Sequence, residues 1–330
     1  FAHAQVRETL YASMSSHRRT RVHRRVGIAV EKLRDPPVGA LAHHFTRAAE
    51  PEDAERAIRY ALEAGAQATA MVANEEAAEH YARALEVLER SNPGALERRC
   101  ELLVELGEAR LRSGERPAAW DVFREAAALA GRLGDGALMA RAAIGASRRF
   151  IWPPGVIDEE LIALLEQALE MTPEDQPVTR AIIITRLCGA LHFSPERRDD
   201  MRRFSAEATA IAARLGDPLA AALAAAARRR AYWGPGHLER RLADSTQLLR
   251  SAREADDLEL TLQAHAWLIV DLLEANDRTA VEAQVAAFEI GAEELRQPVF
   301  QWNGAVWRTM LAMLDGRLVD ADRLAGEALS

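Results

Sequence analysis

Apolar residues recur along almost the whole chain at the three-and-four spacing of a single helix face, and polar or glycine breaks interrupt them at regular intervals. In the best-formed stretch, Leu103, Leu106 and Gly107 precede a break at Gly114, after which come Ala119, Phe123 and Ala126. That spacing predicts an antiparallel helix pair with Gly107 at the close approach, Gly114 in the turn and the Ala/Phe face packing back. An earlier copy runs from about Asp53 to Arg90, with Gly65, Ala77, Tyr81 and Ala84 in the matching places. Further on the pattern thins, but the exit of the second helix stays legible. Arg132-Leu133-Gly134-Asp135 and Arg214-Leu215-Gly216-Asp217 lie two periods apart, and Ala255-Asp256-Asp257 and Leu295-Arg296-Gln297 continue at steps of about 40 residues. A last hairpin has Gly316 in its turn and Ala321, Ala325 and Ala328 beyond it. The fold class expected is all-α: a right-handed superhelix, or α-solenoid, of about seven helical hairpins.

Ahead of the array, Val22, Val26, Ala29 and Leu33 fall at helical spacing, with Arg18, Arg21, Arg24 and Arg25 largely outside the stripe. Asp35-Pro36-Pro37 ends this helix, because proline lacks a donor and bars its predecessor from the helical conformation. Residues 1–36 therefore read as a separate helical unit and 37–330 as the repeat array. The chain opens at Phe1 without Met and stops inside a helical pattern at Ser330, so a piece of something larger, truncated at its C-terminus, is expected.

Composition supports closely packed helices: 49% of residues are hydrophobic, only 5% are aromatic, and Ala is the dominant small residue. Lys32 is the single lysine, so the abundance of Arg reads as compositional bias and says little about phosphate contacts. Phe1 to Arg34 carries about +6 while the remainder carries about −14, so the array is acidic and phosphate repulsion opposes direct nucleic-acid binding by it. The Arg18 to Arg25 run either touches DNA or pairs with an acidic neighbour at a domain junction, and the charge split favours the junction. Cys100 and Cys188 are far apart and belong to no metal-ligand spacing, which predicts buried, reduced thiols and a cytoplasmic setting. The longest apolar run, Leu219 to Ala227, falls far short of a membrane span, so no membrane partner is expected.

The 103–126 hairpin resembles the tetratricopeptide repeat. Phe1-Ala2-His3-Ala4-Gln5-Val6-Arg7-Glu8, Leu10-Tyr11 and Arg18-Arg19-x-x-x-His23-Arg24-Arg25-Val26 resemble the end of the winged-helix region of bacterial STAND signalling ATPases, the large LuxR-type and MalT-like transcriptional regulators. Leu41-Ala42-His43-His44-Phe45, Ala57-x-x-Tyr60-Ala61-x-x-Ala64-Gly65, Glu75-x-Ala77-x-x-x-Tyr81-x-x-Ala84-Leu85 and Leu314-Asp315-Gly316-Arg317-Leu318 are similar to their helical sensor array. The resemblance implies a non-catalytic sensor that binds a protein or small inducer in its concave groove and relays this to a neighbouring nucleotide-binding domain of the same parent. It also implies that His3 matches the histidine of the family's Met-His-Asp-like motif, although Phe1 and Ala4 replace its neighbours. The phosphate-binding GxxxxGK[ST] loop is absent from this sequence, so ATP or ADP belongs to an upstream domain and no cofactor is expected in the chain itself.

Outside that resemblance, an aromatic turn recurs. Arg149-Phe150-Ile151-Trp152-Pro153-Pro154-Gly155 returns as Arg230-Ala231-Tyr232-Trp233-Gly234-Pro235-Gly236, with Phe193-Ser194-Pro195 in the equivalent turn between them. Arg149, Trp152, Phe193, Arg230 and Trp233 thus either form a ladder that takes an anionic or flat ligand, or merely cover long inter-helix turns. Trp302 and Trp307 read as core packing. His43-His44 lacks an acidic or cysteine companion at ligand spacing, so no metal site is expected, and Asp158-Glu159-Glu160 reads as a helix start. No acid/base pair or nucleophile pattern is present, so no catalytic residue is assigned. Alternatives to the sensor are a free-standing peptide-binding scaffold and the helical region of a multidomain cyclase. An uncapped apolar end predicts self-association.

Overall fold

The computed structural model describes residues 11–48, 51–147 and 157–328, and among these every regular element is helical. The chain divides into two compact units, Phe1–Leu133 and Gly134–Ser330. The first contains α1 (Ser16–Glu31) and α2 (Val38–Ala48), then the hairpins α3 (Ala54–Ala70)/α4 (Asn74–Ser91) and α5 (Leu96–Arg112)/α6 (Arg116–Leu133). The second contains α7 (Gly136–Ala146)/α8 (Glu159–Met171), α9 (Pro177–Ala190)/α10 (Arg198–Leu215), α11 (Pro218–Ala231)/α12 (Leu238–Glu254), α13 (Leu258–Glu274)/α14 (Arg278–Leu295) and α15 (Pro298–Leu314)/α16 (Leu318–Ala328). Among the described residues that makes seven hairpins. Within each unit every helix packs on the next one in sequence.

Side chains set the close approaches. A Cβ placed on Gly65 would sit 2.6 Å from the Tyr81 ring, and one on Gly107 would sit 2.8 Å from the Phe123 ring. Only a bare backbone lets α3 meet α4, and α5 meet α6, at that distance. α1 and α2 use a looser version of the same device, Gly27 under Phe45.

The helix boundaries follow from the chain as well. Asp135, Asp158, Asp217, Asp257 and Asp277 each accept hydrogen bonds from the first-turn amides of the helix they precede, a cap contributing about 1 kcal/mol. Asp158 therefore caps α8, as its acidic run predicts. The exits named from sequence share one conformation: Gly134, Gly216, Asp256 and Arg296 all take positive φ. A second series occupies the short turns inside hairpins, at Val72, Gly114, Asn276 and Gly316.

Two sequence expectations change. The apolar stripe of α1 is not its buried face: His23 and Gly27 are buried, while Val22 is 39% and Leu33 55% exposed. Those residues line an open groove with Arg25, Val26, Ala29 and Val30. The reason is that α2 offers the Phe45 ring and two imidazoles, which fit a small residue and a third imidazole better than branched aliphatics. Trp307 packs into the apolar core around Phe288 and Ile269, but Trp302 is exposed. Cys100 and Cys188 are buried, as their apolar settings predict. Among the described residues no helix is long and apolar enough to cross a membrane.

Candidate functional site

The second unit carries a polar core where its hairpins depart from the short-turn pattern. α11 ends in Arg228-Arg229-Arg230, and the turn that follows, Tyr232 to Gly236, replaces the single positive-φ residue used by the regular hairpins with Gly234 and Gly236. Arg229 and Arg230 point inward and are 3% and 5% exposed.

Their settings differ sharply. Arg229 holds Asp271 of α13 in a two-pronged pair, with Nη2 to Oδ1 at 2.9 Å and Nε to Oδ2 at 3.2 Å. Arg241 of α12 donates to the same carboxylate at 3.0 Å and to the Gly234 carbonyl at 2.8 Å, and pairs with Glu274. Ser245 adds a hydroxyl donor to Asp271. Every oxygen of this buried carboxylate is therefore satisfied, which is what makes a charge tolerable there. Arg228 is served separately by Asp244, Gln247 and Thr209.

Arg230 has no carboxylate within ion-pair distance among the described residues. Its hydrogen bond goes to the carbonyl of Thr185 in α9 at 3.2 Å, and its guanidinium lies 4.7 Å from the centre of the Trp267 ring. Burial, with the neighbouring Arg229 charge, holds its pKa down at about 10. Arg229 also stacks on Trp233 and Trp267, at 4.9 and 4.6 Å, and Arg241 on Trp233 at 5.0 Å. The cluster therefore offers more cation than anion, walled by half-exposed rings.

Of the residues singled out from sequence, Phe193, Arg230 and Trp233 fall in this cluster; His3, Arg149 and Trp152 lie outside the described residues. Phe193 and Trp233 do not stack directly. His192 sits between them, its ring centre 4.8 Å from Phe193 and 5.3 Å from Trp233. Its Nδ1 is buried without a hydrogen-bond partner, and burial, reinforced by Arg230, Arg229 and Arg198, lowers its pKa to about 3. Burial pushes the Cys188 thiol up to about 12. A thiol that stays protonated and an imidazole that barely accepts a proton make a poor nucleophile and base at neutral pH.

Sequence reasoning missed Trp267, Arg241 and Asp271. One signal was available, since Asp271 follows Arg230 by one repeat period and so presents itself to the same inter-hairpin layer. In the first unit it also left His43 and His44 without a companion, and the structure supplies His23 from α1. Of the Arg18 to Arg25 run, Arg24 pairs with Glu52 and Asp53 of the same unit, while Arg18, Arg21 and Arg25 are exposed.

The fold and this cluster define a class: an all-helical array of consecutive hairpins with a cationic, ring-walled polar core in its second unit. No protein-family model and no curated protein matches the chain. Among solved structures it is similar to a STAND (Signal Transduction ATPase with Numerous Domains) protein with a tetratricopeptide repeat sensor from Pyrococcus horikoshii, at 13% identity and a TM-score of 0.49 over 99% of this chain. The chain spans 54% of that structure's length. It is also similar to a circular tandem repeat protein with a novel repeat topology, at 18% identity and a TM-score of 0.22, covering 95% of this chain and 86% of that one.

Proposed function

We propose that the chain is a non-catalytic sensor module that takes up an anionic ligand or partner group at Arg230 and relays its binding to the ATP-dependent switch of a larger regulator. The observation that carries this reading is the buried Arg230 guanidinium, which has no carboxylate partner among the described residues. Keeping an ion out of water costs several kcal/mol unless a counter-charge offsets it. Arg229 and Arg241 have theirs in Asp271; a carboxylate or phosphate brought by a ligand would supply the one that Arg230 lacks. The flat surfaces of Trp233 and Trp267 suit an aromatic or planar body attached to that anion.

Access and signalling are linked in this arrangement. Arg230 is only 5% exposed and lies against the Trp267 ring, so a ligand reaches the cation by moving its cover aside. Binding then repacks the junction of α9, α11 and α13, and differential affinity for the two packings is what allows a ligand to shift a switch. The resemblance of Phe1 to Val26 and of the hairpins to LuxR-type STAND regulators supplies the rest of the reading: a bacterial, cytoplasmic parent with a nucleotide-binding domain ahead of the array and transcription as its output.

A thermal-shift screen with aromatic carboxylates, nucleotides, sugar phosphates and neutral sugars tests it. The expected hit is anionic, and its shift disappears in Arg230→Met and falls in Trp233→Ala, while Arg18→Met leaves it intact. A neutral hit, or an anionic hit that survives Arg230→Met, overturns the assignment of this site.

A further inference from the structure

The first unit holds a cluster that the sensor reading does not use. His23 is one of only two buried residues of α1, and it faces His43 and His44 of α2. Each of the three offers one ring nitrogen, and these nitrogens lie within 4.8 Å of one another. The Nδ1 atoms of His23 and His44 are 3.0 Å apart. Two imidazole nitrogens on a tetrahedral zinc, at about 2.0–2.1 Å each, stand about 3.3 Å from one another. The pair is thus close to bridging distance, and the third nitrogen needs only a small ring movement.

We propose that His23, His43 and His44 form a binding site for a divalent transition-metal ion of the zinc class, which ties α1 to α2. Tyr11 provides the supporting contact: its hydroxyl is 3.0 Å from His23 Nε2. When that Nε2–H donates to the hydroxyl, the His23 Nδ1 lone pair is directed at His44, the outer partner fixing the tautomer that a metal requires.

The surroundings select the metal. Arg47 lies near His23 and His43, with Arg83 and His80 of α4 near His43 and with Glu76 and Glu79 close to His80. Cationic neighbours disfavour a hard ion held by charge, whereas Zn2+, Ni2+ and Cu2+ bind neutral imidazole through its lone pair. His80 stands behind the trio with a buried Nδ1 that has no hydrogen-bond partner.

Titration of tag-free, chelator-stripped chain with Co2+ decides the matter, with Zn2+ added in competition. The expected result is one equivalent of visible d–d absorption, bleached by Zn2+, with affinity reduced at least tenfold in His23→Gln and in His43→Gln and more modestly in Tyr11→Phe. The exposed controls His17→Gln and His237→Gln should leave it unchanged. Zn2+ should also raise the melting temperature of the parent chain but not of the variants. Should His23→Gln not fold, the half-exposed His43 carries the test alone. Absence of the bands at millimolar Co2+, or equal affinity in His43→Gln and the parent, overturns the proposal and leaves a metal-free, hydrogen-bonded trio.

Discussion

Adjacent arginines in the second unit should respond to the same substitution with opposite sign. Arg230→Met removes a buried cation whose compensation is one carbonyl hydrogen bond and one ring face. A hydrogen bond to a charged group contributes about 1.5–3 kcal/mol and a desolvated cation–π contact about 2. Together these fall short of, or barely meet, a burial cost of several kcal/mol, and Met keeps most of the side chain's packing volume. The Thr185 carbonyl is not stranded, because it lies in the interior of α9 where the helix ladder supplies its other partner. The expected change is a gain of about 1–3 kcal/mol. Arg229→Met is the counterpart. It strips Asp271, which is fully buried, of its two-pronged partner and should cost about 3–5 kcal/mol. Urea denaturation followed by circular dichroism, with the slope compared between variants, reads both changes as midpoint shifts. A midpoint for Arg230→Met that falls as far as that for Arg229→Met would show that Arg230 already has its counter-charge, and the ligand argument would go with it.

Gly107→Ala should cost about 1–3 kcal/mol, because the new methyl meets the Phe123 ring at 2.8 Å, and Gly107→Ala/Phe123→Leu should recover part of it; an additive double mutant would refute the contact as the cause. Arg296→Gly should stabilise the chain by about 0.5–1 kcal/mol by relieving a positive φ, whereas Gly216→Ala at the equivalent exit should destabilise by a similar amount, and chemical denaturation separates the two signs. Stability should fall as the pH drops from about 6.5 towards 4 and then 3. His23 and His192 have folded pKa values near 4 and 3, so the unfolded chain binds their protons first, and the stability present above the unfolded value drains at up to about 1.4 kcal/mol per pH unit for each. His192→Gln should flatten that slope, and an unchanged slope would contradict the burial of its ring. Exposed Leu318 and Val319 on the last hairpin should drive association, which Val319→Asp reduces in light scattering if the face is responsible.

The hairpins were legible because their code is local. Gly107 and Phe123 lie on the two helices of one hairpin, a spacing that the chain displays directly, and the exit series was readable even where Asp256 and Arg296 stand in for glycine. What escaped detection depends on contacts between hairpins. Arg229 and Asp271 are 42 positions apart, and periodicity assigns each to a face without saying which long side chain crosses to the other. His23 was hidden for a related reason: the helix break at Pro36 separates it from His43 and His44, and the apolar stripe of α1 pointed to the wrong face.

The site and the loss of the repeat code coincide in the second unit, and physical chemistry gives a reason for that. A regular hairpin gains its stability from small residues at the crossing and an aromatic packed back on them, and such a layer has no place for a charge. α9 to α13 keep the hairpin backbone but spend their interior on Arg229, Arg230, Arg241 and Asp271, with Gly234 and Gly236 widening the turn above them. Satisfying Asp271 from three donors makes this polar layer stable enough to exist, while Arg230 has no anion among the described residues, which is what the proposed ligand site rests on. Such a departure from local rules is expected where function asks for a group that the fold alone would not retain, which is the reading proposed for Arg230. In a chain built from repeats, the hairpins that fit the pattern worst are therefore where a ligand should be sought, and replacing the Arg230 charge by Met tests stability and binding at the same atom.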